Sequence, residues 1–567
     1  MSRLLRMHTI AGLGLFALVC GCGSEDHKPL SGVIITLDTT RAGALDLYGA
    51  NRGITPNLSR VAESALVYDR AHTVAPITLP AHTSMMTGLY PLRHGVRDNG
   101  WASLSKEAST LAERASERGF ETAAFVSAVV LSAAYGLDQG FDLYSEPEAS
   151  TSAPMAALTR RSSRGVTDDA LRWLDQRESE VPFLLWVHYF DPHFPYDPPA
   201  EFLEQAGGKP YLAEVASMDH DVGRLVDRLD ARLGKQGYML AIVADHGESF
   251  GRHGEPTHTA YAYEATIHVP FVLRFPDGRG AGTRSDELIS VVDVFPTFLD
   301  VLGLGSVGDV DGTTLAGERV DDDRGVYMES YSGYINYGWS PLAGWLDNRG
   351  KYLHSARPEY YDLDEDPEEL TDLLEGGSES VDVGSYRDAL AALSERSRLK
   401  SGALALEEHE LAQLRALGYA TGEEANDLPD PLAPSTRPAP RDHAGHYASF
   451  CEAVGLAQAG RSSEAIPRLE AVVEANPGNL LALETLAGCL LDEDRHAQVI
   501  DLLAAPTAAG RLDRFVSYTY LANAYEALEK HSEALAAYRA ALNLRPNETS
   551  VAQAIERLSA TQADKND

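Results

Sequence analysis

Cysteine is the rarest residue in this chain: four in 567 positions, at Cys20, Cys22, Cys451 and Cys489. No thiol lies between Cys22 and Cys451, so no disulfide and no cysteine chemistry can operate in that stretch. Positive charge is also scarce. Lys and Arg number 48 against 84 Asp and Glu, a net charge of −36, which excludes nucleic acid or anionic lipid gripped by counterion release. A small anionic substrate is not excluded, because a bound cation reverses the local field. The apolar run Ile10–Val19, behind Arg3 and Arg6, is too short to anchor across a bilayer and reads as an export signal.

What the chain has in place of these begins with apolar runs that end in carboxylates. Gly32–Asp38, Phe183–Phe190 and Tyr238–Asp245 read as strands buried on both faces of a parallel sheet. Helical patterns over Thr55–Ala65, Val166–Gln176, Leu212–Leu233 and Val291–Leu302 fall between and after them. The alternation predicts an α/β domain with a doubly wound, mostly parallel sheet over residues 32–375. Ligands in such sheets bind beyond the carboxyl ends of the strands. Asp38, Asp191, Asp245 and His246 all fall there. The aromatic-rich Tyr327–Trp345 is open to two readings, a pocket mouth or ordinary packing.

Further on, 376–426 reads as a helical connector and 427–440 (DLPDPLAPSTRPAP) as an extended Pro-rich linker without a core of its own. Over 446–548 a repeat emerges: Ala465 and Pro477 recur as Ala534 and Pro546. In the last unit Tyr518, Leu521, Ala522, Tyr525, Ala534, Tyr538 and Ala541 stand at tetratricopeptide packing positions, which predicts an all-α solenoid. The middle unit is degenerate, with Pro506 expected to break its second helix. Residues 549–567 read as a tail. The solenoid groove suits a protein partner.

Thr73–Asn99 carries the densest chemistry. Pro80 suits the first turn of a helix, which places Thr78 just ahead of that helix, among amides that favour an anion. The alternative is an ordinary N-cap threonine. With Asp38, Asp245 and His246, Thr78 completes a set suited to a divalent metal, which would make its hydroxyl a nucleophile. His193 and His258 add imidazoles for binding an anion or protonating a leaving group. A second ion held by Asp191, His193 and His258 is a further possibility.

The motifs LDTTR at 37–41, TLPAH at 78–82, TGLYPLRHG at 87–95, FDPHFPY at 190–196, ADHGE at 244–248 and Glu264–Phe271 resemble the sulfatase branch of the alkaline phosphatase superfamily, with YDLDEDPEELTDL resembling its closing segment. That resemblance implies metal ligation by Asp38, Thr78, Asp245 and His246, and substrate contacts from His193, Asn99, His82 and Arg41. Zn or Mn is favoured, with Ca less suited. Val19–Cys22 resembles a bacterial lipobox, which implies a signal peptide over 1–21, lipid on Cys22, a tether over 22–31 and a place in the cell envelope, at the outer membrane. The membrane would be met through the lipid alone.

Three departures from the family stand out. Sulfatases carry Cys or Ser at the Thr78 position and oxidise it to formylglycine, which a secondary hydroxyl cannot yield. The motif's Arg is His82, and Thr39 replaces a second metal-binding Asp. Superfamily members with a metal-bound Thr act on phosphorus. The expectation is therefore a phosphoester, phosphodiester or phosphonate hydrolase or transferase acting on a small anionic ester. The alternatives are a sulfatase without formylglycine, or an eroded scaffold working through its repeats.

Overall fold

The computed structural model describes residues 30–564 except 101, 148–160, 318, 376–380, 403, 405–427, 509–511, 513 and 547. Cys22, the export signal and most of the connector lie outside the described residues.

The apolar runs form the middle of an eight-stranded sheet. Its strands are β1 (Ser31–Leu37), β2 (Leu66–His72), β3 (Glu121–Phe125), β4 (Leu143–Ser145), β5 (Phe183–Tyr189), β6 (Tyr238–Ala244), β7 (Phe271–Arg274) and β8 (Thr283–Ser290), in the order β4-β3-β5-β1-β6-β7-β2-β8. Only β7 runs antiparallel to its neighbours. Every residue of β1, β5 and β6 is buried, as expected of strands covered on both faces. The described helices include α1 (Thr78–Thr87), α2 (Ser163–Gln176) and α3 (Pro210–Leu233). A second, antiparallel sheet follows, made of β9 (Val326–Ser330), β10 (Leu342–Asp347), β11 (Gly350–His354) and β12 (Glu359–Tyr361).

After 440 the chain is helical: α4 (Ala444–Gln458), α5 (Ser462–Ala475), α6 (Leu480–Asp492), α7 (His496–Ala508), α8 (Phe515–Ala527), α9 (His531–Leu544) and α10 (Thr549–Asp564). Two expectations need correction here. Pro506 does not break α7; it falls in the last turn, where little helix remains to be disrupted. Residues past 548 are not a plain tail, because Val551, Ala554 and Leu558 of α10 bury against Phe515 and Tyr538 and close the end of the solenoid.

The repeats are not a separate body on a free linker. Tyr331 donates to the Pro429 carbonyl, Arg437 to that of Tyr334, and the Ser340 amide to that of Pro438, pinning the Pro-rich segment along the first domain. One hydrophobic core then joins both parts, running from Tyr261, Tyr337 and Trp339 into Tyr447, Phe450 and Leu469. Trp339 is 1 % exposed and lies parallel to Tyr261 and His443, with ring centroids 5.9 and 5.8 Å away. The aromatic-rich segment is therefore packing, and what it packs is the interface with α4.

This shared core predicts one cooperative unfolding transition for the whole chain. Trp339→Ala or Tyr447→Ala should cost about 3–5 kcal/mol and lower the melting of both parts together in calorimetry. A separate, earlier melting of the repeats with the rest unchanged would contradict it.

Candidate active site

The site is assembled by register. Leu37 at the end of β1 pairs with Tyr189 of β5 on one side and with Ala244 of β6 on the other. Asp38 and Asp245 therefore emerge side by side. The Asp38 amide donates to the Tyr189 carbonyl at 2.9 Å, which fixes where its side chain leaves the sheet.

Both carboxylates are fully buried. Asp245 Oδ1 accepts the amides of Thr39 (3.2 Å) and His246 (2.7 Å). Asp245 Oδ2 and both oxygens of Asp38 have no hydrogen-bond partner among the described residues. His246 faces them. Its Nδ1–H donates to the Gly247 carbonyl at 3.0 Å, which leaves the lone pair on Nε2, 3.6 Å from Asp245 Oδ2 and 3.9 Å from Asp38 Oδ1. Bare carboxylate oxygens around an imidazole lone pair, all within 4.8 Å of one another, fit a divalent cation. Left without a cation, the group resists ionising. Burial raises Asp38 well above the carboxylate range, with Glu248 adding repulsion, and burial together with Asp38 pushes Asp245 up to about 8.

Thr78 is the first helical residue of α1, with Ile77 at the N-cap, so it sits one step further in than Pro80 suggested. Neither residue makes a side-chain cap, which removes the ordinary N-cap reading. Thr78 Oγ1 instead lies 3.4 Å from His246 Nε2. Asn99 comes in from the other side. Its Oδ1 accepts the Leu79 amide at 3.0 Å, which fixes the amide's orientation, and its buried Nδ2 has no partner among the described residues. A donor held there suits a substrate oxygen.

A row of imidazoles leads away from Thr78. His246 and His258 have ring centroids 4.5 Å apart, and His258 and His193 5.1 Å apart. Burial pushes His258 down to about 3 and Glu248 up to about 8, with Glu248 Oε1 3.4 Å from His258 Nδ1, so at neutral pH the pair rests uncharged.

Asp191 stands elsewhere than its spacing suggested, while His82 and Arg41, expected as substrate contacts, lie beside Asp245 and in the loop after β1. Asp191 Oδ2 accepts both the amide and the hydroxyl of Ser163, at 2.8 and 2.6 Å, so it anchors the start of α2. Asp191, His193 and His258 do not form a shared ligand set among the described residues. His82 is fully buried beside Trp186 and His188, and its Nδ1–H donates to the Thr78 carbonyl at 2.8 Å. Burial and neighbouring His188 hold its pKa well below the usual histidine range, so it does not replace the positive charge of an arginine. Arg41 lies outside the carboxylate cluster, its guanidinium 5.8 Å from the Phe250 ring.

His188 was not anticipated. Its ligand atoms, with those of His82 and Asp245, also fall within 4.8 Å, but its Nδ1 accepts the Ser127 amide at 3.2 Å. The neutral ring therefore carries its proton on Nε2, which faces Asp38 Oδ2 at 3.4 Å without forming a hydrogen bond and offers no lone pair to an ion. A histidine within the otherwise apolar run Phe183–Phe190 was the available signal. At the position of the family's second Asp, Thr39 has φ 46° and a buried hydroxyl without a partner, so the set has one charge fewer.

Sheet order and register define a mixed α/β domain with a carboxylate–imidazole set at the carboxyl ends of its central strands. Residues 32–304 match the Sulfatase family model, 257–383 the C-terminal model of N-sulphoglucosamine sulphohydrolase, and 456–515 a tetratricopeptide repeat model. The chain carries a sulfatase-family domain followed by tetratricopeptide repeats. It is 26% identical over 339 residues to an ulvan-active sulfatase of Formosa agariphila, spanning 51% of this chain and 64% of that protein. An arylsulfatase of Clostridium perfringens is 22% identical over 433 residues, 60% of this chain and 89% of that one. The fold is also similar to a phosphonate monoester hydrolase of Agrobacterium radiobacter, with a TM-score of 0.55 and 20% identity, covering 64% of this chain and 95% of that one.

The raised carboxyl pKa values set a pH test. An unfolded carboxyl ionises near pH ~4, so the metal-free fold is most stable below that and loses stability as the pH rises through about 8. A divalent ion displaces the protons. Stabilisation by added Zn or Mn should therefore grow from about pH 5 to about pH 8, reaching about 2.7 kcal/mol at ~100-fold excess over Kd. Asp38→Asn with Asp245→Asn should abolish it. A pH-independent shift, or one that survives in that double variant, would contradict the site.

Proposed function

We propose that this chain is an exported, metal-dependent hydrolase or transferase of anionic esters, tethered through Cys22, in which Thr78 attacks the central atom of the ester. Phosphorus esters are the preferred class. The observation that carries the reading is Thr78 Oγ1 beside His246 Nε2 at 3.4 Å, at the first residue of a buried helix facing two carboxylates with bare oxygens.

Asp38, Asp245, His246 and Thr78 would hold the ion, which when bound supplies Lewis acidity to lower the pKa of the hydroxyl and balance substrate charge. The remaining steps belong to side chains of this chain. Helix α1 fixes the attacking oxygen, and the positive end of its dipole favours the anion. Asn99 Nδ2 donates to a non-bridging oxygen. His258, relayed to Glu248, and His193 beside it are the groups placed to hand a proton to the leaving oxygen; an arriving anion favours the charged form of an imidazole otherwise kept neutral. Water or an acceptor hydroxyl then releases the esterified threonine.

The choice of phosphorus rests on Thr78. An aldehyde hydrate can expel its ester group by elimination, whereas an esterified threonine must undergo a second displacement at the central atom, which phosphorus accepts readily. The sulfate-ester reading is favoured by relatives that bear sulfatase names. Both readings share the nucleophile. In a panel of nitrophenyl phosphate, phosphodiester, phosphonate and sulfate esters, phosphorus esters should lead. Activity should require added metal, and Thr78→Ala should lower kcat at least ~10³-fold. Sulfate turnover leading the panel would overturn the phosphorus preference, and full activity in Thr78→Ala would overturn the mechanism.

A further inference from the structure

Beside the catalytic centre lies an open cavity of about 930 Å³, lined by residues from the loops that carry the site. The loop after β1 gives Asp38 to the centre and Arg41 to the cavity. The loop after β5 gives His193 and then Tyr196, and the loop after β6 gives Asp245 and His246 and then Phe250. The same three loops thus serve both the centre and this space.

The walls have a particular chemistry. Tyr196, Tyr211 and Phe250 line the space as a strip of rings, Tyr196 to Tyr211 at 5.9 Å and Tyr211 to Phe250 at 4.7 Å, which Phe194 continues outside the lining at 5.8 Å from Tyr196. Phe194 and Phe250 are 51% and 46% exposed, an unusual state for large apolar side chains. The strip is locked to the site, since Tyr211 donates its hydroxyl to the Thr39 carbonyl and accepts the Arg41 amide.

Cations line the same space. Arg284 is paired with Asp69 and Arg252 with Glu368, while Arg52 donates to the Gly43 and Ala44 carbonyls. Arg41 and Lys209 differ. Among the described residues neither takes part in an ion pair, although acidic residues outnumber basic ones by 84 to 48 in this chain. Arg41 is half-buried against Phe250, and Lys209 is exposed at the N-terminus of α3. Two cations without an ion pair among the described residues, Arg41 against the Phe250 ring and Lys209 in the same lining, leave room for a flat, negatively charged group.

We propose that this cavity is the subsite for the leaving half of the substrate, and that it selects a sugar or aryl ring bearing a second anionic group. The ring lies along Tyr196 and Phe250, and its anion is held by Arg41 and Lys209. The inference rests on the ester-cleaving role proposed for Thr78, but its test has an arm that does not depend on turnover.

The first arm compares a nitrophenyl ester with its ring-carboxylated counterpart. In the wild type the carboxylated ester should have the higher kcat/KM. Lys209→Gln and Arg41→Gln should each lower the ratio of the two kcat/KM values about tenfold, and Arg41→Lys should restore part of it. Phe250→Ala should raise KM for both esters. The second arm measures equilibrium binding of 4-sulfobenzoate and benzenesulfonate to the Thr78→Ala protein. The doubly charged ring should bind more tightly, and adding Lys209→Gln should remove that advantage. A ratio and a binding preference both untouched by these substitutions would overturn the subsite while leaving the catalytic reading intact. A Lys209-dependent binding preference without turnover of any ester would uphold the subsite and remove the reaction.

Discussion

Two carboxylates emerge next to each other from adjacent buried strands, and neither is neutralised by a cationic side chain. The rest of the domain is built around that constraint. Taking like charges out of water without compensation is among the costliest acts in a fold. Here burial keeps both carboxyls from ionising until a cation arrives, while the neighbours are fixed with one polar atom facing inward: His246 by its bond to Gly247, His188 by its bond to Ser127, and Asn99 by its bond to Leu79. Each of these side chains has one end fixed by backbone and the other end open. That is the design expected of a site organised before its ion and substrate arrive.

The repeats belong to the same construction. Helix α4 packs on the segment that carries His258, with the Tyr447 hydroxyl 3.4 Å from the His258 carbonyl and 3.3 Å from Thr259 Oγ1. Gly254 lies against Ala444 so closely that a side chain there would collide with it. The solenoid therefore forms part of the wall behind the outer imidazoles, and a protein bound to its groove would act on a body continuous with that wall. This joins the two halves more tightly than a Pro-rich sequence at 427–440 suggested, because composition reports the backbone's preference for extension but not what it lies against.

Much of the frame could be read from the sequence. Buried parallel strands announce themselves as unbroken apolar runs, and their carboxyl ends locate Asp38, Asp245 and His246 without any knowledge of the turns. Tetratricopeptide packing positions identify the solenoid in the same way. What escaped was set by orientation in space. The pairing of Asp191 with Ser163 depends on where α2 begins, and the inward face of His188 depends on strand pairing. The neutral state of His82 follows from burial that no spacing reveals. Thr78 was found by its neighbours in sequence, and its place within the first turn of α1 followed only from the backbone.

The central claim is that the Thr78 hydroxyl becomes covalently esterified during turnover. The most direct measurement is mass spectrometry of the peptide spanning Thr78 after acid quench of metal-loaded protein turning over an aryl ester. The account predicts a phosphoryl or phosphonyl group on Thr78 that is absent from quenched controls lacking substrate and that forms no slower than product. An unmodified Thr78 throughout steady turnover, or the group found on another residue, would contradict it.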